Sequence, residues 1–183
     1  MKFGTNRRLK SAQKGNHAAF FQLFDENQAA VFRFAYRLTG SVADAEDIVQ
    51  EVFLALLRPG SRFDPNRSPL RSYLFGAVRN QALKRQRRRE RAEDSDPGPI
   101  DLRSPEEDTI RAEMEGTVAR AVMALPETQR AVLILAHYEQ MPVAEIAEVM
   151  EIEPGAVKSR LQRARAALKE ALAAYAPGVE RAR

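Results

Sequence analysis

Two runs of cationic side chains are the residues of this sequence best suited to chemistry, and that chemistry is the binding of a polyanion. An acidic stretch separates the two runs. The first run consists of Lys84, Arg85, Arg87, Arg88, Arg89 and Arg91, and the second of Lys158, Arg160, Arg163, Arg165 and Lys169. The net charge of +4 is only mildly suggestive, but the clustering predicts two contacts with nucleic-acid phosphates.

The residues that catalysis or metal binding would need do not occur in suitable patterns. There is no cysteine, and the two histidines, His17 and His137, lie far apart without ligand-like spacing around them. No acid, base or nucleophile has a partner at functional spacing, and no glycine motif would cradle a phosphate. We therefore predict that the protein is not an enzyme and holds neither a metal nor a cofactor.

Two further absences bear on location. The first residues are basic and polar without the apolar stretch of a secretory signal, and no segment is long and apolar enough to span a membrane. Together with the lack of cysteine, this predicts a soluble, cytoplasmic protein with no membrane insertion.

The spacing of apolar residues predicts an all-α fold. These residues recur every three or four positions almost throughout, and the alternation typical of strands is nearly missing. Two small helical domains are expected, joined by an acidic flexible linker that is rich in Pro and Gly and poor in apolar residues. The predicted division is a basic N-terminal arm over 1–15, a four-helix domain over 16–91, the linker over 92–103, a second helical domain over 104–176 and a tail over 177–183.

Capping residues predict where the helices of the first domain begin and end. These helices are expected over about 16–25, 27–39, 41–58 and 69–91. Gly40 is a stop signal, and Ser41 with Asp44 forms a capping box. Ser68 and Pro69 supply an N-cap and a first-turn proline for the long fourth helix.

The second domain contains the pattern of a helix-turn-helix. A short helix after Pro142, a turn over 151–153 and a longer helix from Pro154 have the required spacing. The longer helix has an inner face of Val157, Leu161, Ala164 and Leu168 and an outer face of Gly155, Ser159, Gln162 and Ala166. Lys158 and Arg163 flank the outer face, where they would contact bases or phosphates in the major groove. The alternative is a solvated amphipathic helix.

The third helix of the first domain has an acidic face. Its apolar side consists of Ala45, Ile48, Val49, Val52, Phe53 and Leu56, and its opposite side of Asp47, Gln50, Glu51 and Leu54. Because the two acids would repel phosphates, an exposed leucine beside them indicates a protein-binding surface. A solvated face that includes one leucine is equally consistent with the periodicity.

The fourth helix combines an aromatic ring with cations. Its buried stripe is expected to be Leu70, Tyr73, Leu74, Ala77 and Val78. Phe75 and Arg79 then project from the other side, with Asn80 at the edge and the arginine run following. This combination suits single-stranded nucleic acid, through ring stacking and backbone contacts. The alternatives are that Phe75 is core of a helix buried on two sides and that the arginines are solvated, although the length of the run favours phosphate contact.

Taken in order, these segments resemble the extracytoplasmic-function (ECF) sigma factors of bacterial RNA polymerase. The stretch 44–53 looks like the family's polymerase-binding helix, and the stretch 63–80 looks like its segment that opens and reads the minus-ten promoter element. The stretches 125–130, 145–147 and 155–165 look like the domain that reads the minus-thirty-five element. The match leaves out only the first dozen residues, the linker and the tail.

The resemblance implies a role for each group of residues. The largest-subunit clamp helices of core polymerase would be contacted by Asp47, Gln50, Glu51 and Leu54. Minus-ten DNA would be contacted by Phe63, Phe75, Arg79, Asn80, Arg85, Arg87 and Arg88, with Phe63 and Asn80 in a pocket for a base flipped from the melted nontemplate strand. Minus-thirty-five duplex would be contacted by Lys158, Ser159, Arg160, Gln162 and Arg163. An anti-sigma factor would cover the polymerase-binding face.

Three residues depart from the family pattern: Tyr73 replaces the usual Trp, Lys84 stands where Asp is common, and Ala156 replaces the usual Thr. The first two affect the expected strength of promoter melting, and the third removes a hydroxyl near the recognition helix.

A rival hypothesis is a helix-turn-helix regulator that acts without polymerase, but it leaves the acidic face and the basic aromatic helix unexplained. Another is a sigma mimic that only sequesters a protein, for which a weakened DNA face would be expected.

Overall fold

The computed structural model of the protein describes residues 2–58, 60–61, 63–91 and 109–173, and within those ranges it contains eight α-helices and no strand. The helices are α1 (Lys2–Gln13), α2 (His17–Thr39), α3 (Val42–Leu57), α4 (Leu70–Arg91), α5 (Thr109–Met123), α6 (Glu127–His137), α7 (Val143–Met150) and α8 (Pro154–Leu172). The predicted all-helical fold is confirmed. The predicted linker over 92–103 and tail over 177–183 lie outside the described residues.

The N-terminal segment, expected to be a basic arm, is helix α1. Leu9 and Ala12 are buried against the neighbouring helices. The Gln13 side-chain amide donates a hydrogen bond to the Leu56 carbonyl oxygen of α3 (3.0 Å), and Arg8 forms an ion pair with Glu26 of α2. The basic charges therefore lie on a helix that shares the core of the first domain.

Helix α2 is continuous where sequence analysis predicts two helices. Neither Gly nor Pro occurs near residue 26, so nothing in the backbone ends the helix there. The Asn27 side-chain amide donates to the Leu23 carbonyl oxygen (2.8 Å), which lets this polar residue remain inside the helix. The predicted stop at Gly40 is confirmed, since Gly40 has φ 71° and its N–H donates to the Tyr36 carbonyl oxygen.

The starts of α3 and α4 differ in how well they were predicted. Ser41 is the N-cap of α3, and its hydroxyl accepts a hydrogen bond from the Asp44 N–H (3.2 Å), as expected. Helix α4 begins at Leu70, one residue later than predicted: the Tyr73 N–H donates to the Pro69 carbonyl oxygen, and the Ser68 N–H donates to Asp64. Pro69 therefore takes the cap position expected for Ser68.

The second domain packs α8 against α5, α6 and α7. Val157, Leu161 and Ala164 of α8 are buried and Leu168 is half-buried, so the predicted inner face is confirmed. Glu151 in the turn after α7 has φ 55°, and its N–H bonds back to carbonyl oxygens of that helix. This left-handed residue separates the two helices of the helix-turn-helix.

The two domains pack against each other, which sequence analysis does not predict. Helix α4 lies against α7, and α2 lies against α5 and α6. The guanidinium of Arg37 on α2 stands 4.2 Å from the ring centroid of Tyr138, which follows α6. The buried residues of both domains form one continuous apolar cluster.

Candidate functional site

Helix α8 presents the surface predicted for duplex DNA. Lys158, Ser159, Gln162 and Arg163 are all exposed on one side of it. The Ser159 hydroxyl donates to the Gly155 carbonyl oxygen (3.0 Å), and Arg163 Nε donates to the Ser159 carbonyl oxygen (3.3 Å), which holds the guanidinium along the helix. Cations on a helix that follows a tight turn have the geometry of a major-groove reader.

Arg160, predicted to lie with this set, differs from it in position. The side chain is half-buried and its charge acts on Glu127 at the start of α6. Helical rotation explains this, because Arg160 comes between the exposed Ser159 and the buried Leu161. In this arrangement its charge is directed partly toward the protein interior.

Helix α3 exposes the predicted acidic face. The side chains of Asp47 and Glu51 are 62% and 48% exposed, Leu54 is 49% exposed, and Gln50 is also exposed. The opposite face is buried as predicted, comprising Ala45, Ile48, Val49, Val52, Phe53 and Leu56. A large aliphatic side chain beside carboxylates is thus available to a protein partner.

Cations of α4 neutralise part of this acidic face. Arg85 lies 3.2 Å from Asp47, 3.0 Å from Glu51 and 3.4 Å from Asp44, and Arg89 pairs with Asp44 at 2.5 Å. Burial opposes the charged form of Arg85, but the hydrogen bond to Asp47 and the three carboxylate charges outweigh it and raise the pKa of Arg85. The predicted polymerase-binding and DNA-binding surfaces therefore touch along α3 and α4.

Phe75 is buried, which corrects the prediction that it projects from α4 beside DNA-binding cations. It is 0% exposed and packs edge-to-face on Phe34 of α2, with ring centroids 5.1 Å apart. The buried stripe is wider than a one-sided helix would have, because α4 is covered both by the first domain and by α7. Single-strand stacking on Phe75 does not fit this arrangement, and its alternative as a core residue is confirmed.

Other residues of the predicted minus-ten set keep accessible positions. Asn80, Arg87 and Arg88 are exposed on α4. Phe63 is half-buried, and its ring lies 5.2 Å from that of Tyr73 between centroids. Phe63 and Tyr73 thus form an aromatic pair at the start of α4.

Arg79, predicted to contact DNA, faces the second domain instead of solvent. Its Nε lies 3.8 Å from Glu127 Oε1, and the two side chains are only 15% and 8% exposed. At this separation the two groups form an ion pair without a hydrogen bond, and among the described residues Arg79 Nε and both Glu127 carboxylate oxygens have no hydrogen-bond partner. The pair crosses the boundary between the domains.

Burial raises the pKa of Glu127, against the charges of Arg79, Arg130, Arg160 and Arg87, which lower it. A raised pKa means that the packed arrangement holds this proton more tightly than an exposed glutamate would. The contribution of this titration to the free energy of folding is therefore fully present below the ordinary glutamate pKa and is lost as pH rises through the raised value.

Arg71 and Glu139 form a second ion pair between the domains. Arg71 Nη2 of α4 donates to Glu139 Oε2, just after α6, at 2.6 Å. The Glu139 side chain is 2% exposed, whereas that of Arg71 is 49% exposed. A single buried acid in a loop carries no periodic signal, so no sequence pattern predicts this contact.

Within the described ranges, no group of three or more His, Cys, Asp or Glu residues is arranged to hold a metal ion. The helices described also include none with the length and apolarity needed to cross a membrane.

The fold and these surfaces define a two-domain helical protein with a helix-turn-helix and a separate, exposed acidic face. Residues 23–92 match the Sigma-70 region 2 family, and residues 116–168 match the Sigma-70 region 4 family. The solved structure of the sigma factor RpoE in complex with the anti-sigma factor NepR from Bartonella quintana is similar, with a TM-score of 0.70, 27% identity and coverage of 84% of this chain and 96% of that one.

Curated relatives narrow the class. The ECF RNA polymerase sigma factor SigL of Mycobacterium tuberculosis is 32% identical over 166 residues, which is 88% of this chain and 93% of the relative. SigW of Bacillus subtilis, also an ECF sigma factor, is 28% identical over 94% of this chain and 98% of its own length. The chain belongs to the ECF sigma factors of RNA polymerase. Members of this family are transcription initiation factors.

Proposed function

We propose that the acidic face of α3 is the surface that binds core polymerase, at the clamp helices of its largest subunit. The observation that carries this proposal is an exposed leucine, Leu54, beside the exposed carboxylates of Asp47 and Glu51. Such a face fits a partner that offers cations around an apolar centre. Gln50, on the same face, adds an amide that can donate and accept hydrogen bonds.

We further propose a division of promoter contacts between the domains. Residues 2–91 would bind polymerase and the melted minus-ten element, using Asn80, Phe63 and the exposed arginines of α4. Residues 109–173 would read the minus-thirty-five duplex through Lys158, Ser159, Gln162 and Arg163. The protein has no catalysis of its own in this account, and it acts in the cytoplasm, where polymerase and chromosome are.

An anti-sigma factor is the regulator that this proposal implies. One similar solved structure is a complex with the anti-sigma factor NepR, and another, with a TM-score of 0.68 and 26% identity, is CnrH with the cytosolic domain of CnrY. We infer that such a partner would bind over the acidic face of α3, because a protein bound there would directly prevent core polymerase from binding.

The polymerase proposal is tested by charge reversal at α3. The double variant Asp47→Lys, Glu51→Lys should reduce capture of core polymerase at least about tenfold, because like charges across an interface repel and a rim of carboxylates is lost. The matched control is Asp25→Lys, Glu26→Lys, which makes the same charge change on exposed residues of α2. Circular dichroism checks that both variants fold. Equal capture by the α3 variant and the parent would show that this face does not bind polymerase.

A further inference from the structure

Helix α1 lies outside the surfaces assigned above, and its surroundings carry the positive charge of the protein. The first 24 residues contain five Lys and Arg side chains and no Asp or Glu. The remaining residues hold 24 cationic and 25 acidic side chains, so their net charge is −1, against +4 for the whole chain. The basic character of the protein therefore comes from its N-terminal segment.

The cations of this segment differ in whether they have a partner. Arg8 forms an ion pair with Glu26 of α2. Arg7, Lys10 and Lys14 are exposed, and no carboxylate of the described residues pairs with them. These three side chains, called here the cationic face of α1, are available to an external anion.

The core of the first domain holds the cationic face in place. Successive residues of a helix are rotated by about 100°, so positions 7, 10 and 14 share one side and Leu9 and Ala12 lie on the opposite side. Leu9 and Ala12 are buried, and the Gln13 side-chain amide donates to the Leu56 carbonyl oxygen of α3 (3.0 Å). The cations therefore stand on a packed helix, so binding does not have to order the backbone that carries them.

The size of the cationic face matches a short stretch of DNA backbone. Asn6 and Ser11 line one open depression together with the three cations. Lys14 extends the last turn of α1, since its N–H donates to the Ser11 carbonyl oxygen (3.1 Å). A rise of 1.5 Å per residue separates Arg7 from Lys14 by about 10 Å along the helix axis. Phosphates of one duplex strand recur every ~3.4 Å of DNA axis, so the row spans about three of them.

The side chains of α1 favour the duplex backbone over other anionic partners. Among the described side chains of α1, none exposes an apolar or aromatic group. A helix that lies on a membrane needs an apolar face to insert, single-stranded nucleic acid stacks on rings, and a protein interface has an apolar centre. The phosphates of a duplex require only cations and polar hydrogen-bonding groups.

We propose that the cationic face of α1 binds the phosphate backbone of duplex DNA without reading its sequence. It supplies a third DNA contact, outside the residues assigned to the minus-ten and minus-thirty-five elements. Because paired DNA is its ligand, this contact holds the first domain on the promoter before the strands separate. The inference goes beyond the proposed function and depends neither on the acidic face of α3 nor on the assignment of Asn80.

The test measures how duplex binding by the full chain depends on salt. The probe is a short labelled duplex without promoter elements, and fluorescence anisotropy gives its affinity at several salt concentrations. The variant Arg7→Gln, Lys10→Gln, Lys14→Gln should reduce the slope of log affinity against log salt by about 2–3, since each phosphate contact contributes about 0.9. Its affinity should fall about a hundredfold or more at about 0.1 M salt and approach that of the parent near 1 M.

The matched control removes three exposed cations elsewhere. Arg33→Gln, Arg120→Gln, Lys169→Gln makes the same change in net charge on α2, α5 and α8. Its slope should stay within about 1 of the parent value, because these positions do not form one row. A loss of slope in the α1 variant no larger than in this control would overturn the proposal.

A charge-retaining variant separates charge from side-chain identity. Arg7→Lys, Lys10→Arg, Lys14→Arg should keep the parent slope, since phosphates attract both cations. A reduced slope in this variant would contradict binding through charge. Circular dichroism checks that all three variants fold.

Other partners would give different results. An effect of the glutamine variant that differs between AT-rich and GC-rich duplexes would contradict a sequence-independent contact. With an unchanged slope, loss of sedimentation with phosphatidylglycerol vesicles would identify a membrane surface, and loss of core polymerase capture an acidic protein surface. Either result would overturn the proposal. Capture of polymerase by the α3 variant is measured separately, so the two proposals can fail independently.

Discussion

At the level of single residues, Arg163 and Asn80 differ most sharply in the proposed account. Arg163 lies on the exposed side of α8, held along the helix by its bond to the Ser159 carbonyl oxygen. Asn80 is exposed on α4 in the other domain. We assign the first to paired DNA and the second to an unpaired base that exists only after melting.

These assignments predict opposite consequences for the two alanine variants in holoenzyme. Arg163→Ala should lose about 1–3 kcal/mol of duplex binding and relax preference at one upstream position, because a bidentate base contact disappears. Asn80→Ala should leave duplex affinity nearly unchanged and impair open-complex formation. Duplex binding and permanganate footprinting measure the two effects.

Lys169→Ala is the control, since it removes an exposed cation near the end of α8. Normal melting by Asn80→Ala, or a loss at Arg163→Ala no larger than that at Lys169→Ala, would contradict the residue assignments.

Whether a residue is exposed or buried could be predicted for helices that pack on one face only. Rotation of about 100° per residue correctly places Ser159, Gln162 and Arg163 outside and Val157 inside. Phe75 was predicted wrongly, because its burial requires contacts from α2 that lie far away in sequence. That Glu127 has no hydrogen-bond partner among the described residues likewise depends on tertiary packing.

At the level of elements, local capping accounts for the boundaries that sequence predicts best. Ser41 caps α3 and positions the helix that carries the acidic face. The Asp44 N–H that it satisfies would otherwise lack a partner within the helix. The cap therefore links helix stability to the polymerase-binding surface.

Ser41→Ala should cost about 1 kcal/mol of folding free energy and lower the thermal midpoint by about 2–4 °C, since a backbone donor loses its acceptor. Ser41→Asp retains an acceptor and should stay close to the parent. Calorimetry on the full chain measures both. An alanine variant as stable as the aspartate variant would show that this cap contributes nothing.

Helices α1 and α2 differ from their sequence predictions for physical reasons. Helix α1 was predicted as an arm because its sequence is mostly basic and polar, although Leu9 and Ala12 reach the core. Helix α2 was predicted as two helices, although no Gly or Pro interrupts it and Asn27 bonds back to Leu23. When the stability of a helix comes from packing, weak apolar periodicity in its sequence predicts a helix that is too short or none.

At the level of the whole molecule, two domains close on each other through pairs that join distant residues. These pairs are Arg71 with Glu139 and Arg79 with Glu127. The sequence predicts a DNA contact for Arg79 and no role for Arg71 or Glu139. Sequence order identifies the two domains but carries no information on how they pack. The family match identifies the chain, and the packing of the second domain covers one side of α4.

Promoter-specific initiation is the central claim, and run-off transcription tests it most directly. Core polymerase would be supplied with the purified chain and a library of bacterial promoter fragments, and the transcript 5′ ends would be sequenced. We predict that the chain directs new start sites that share two upstream elements, and that Asp47→Lys, Glu51→Lys abolishes them. Start sites unchanged by the chain, together with sequence-specific duplex binding by α8, would contradict the account and identify a regulator that acts without polymerase.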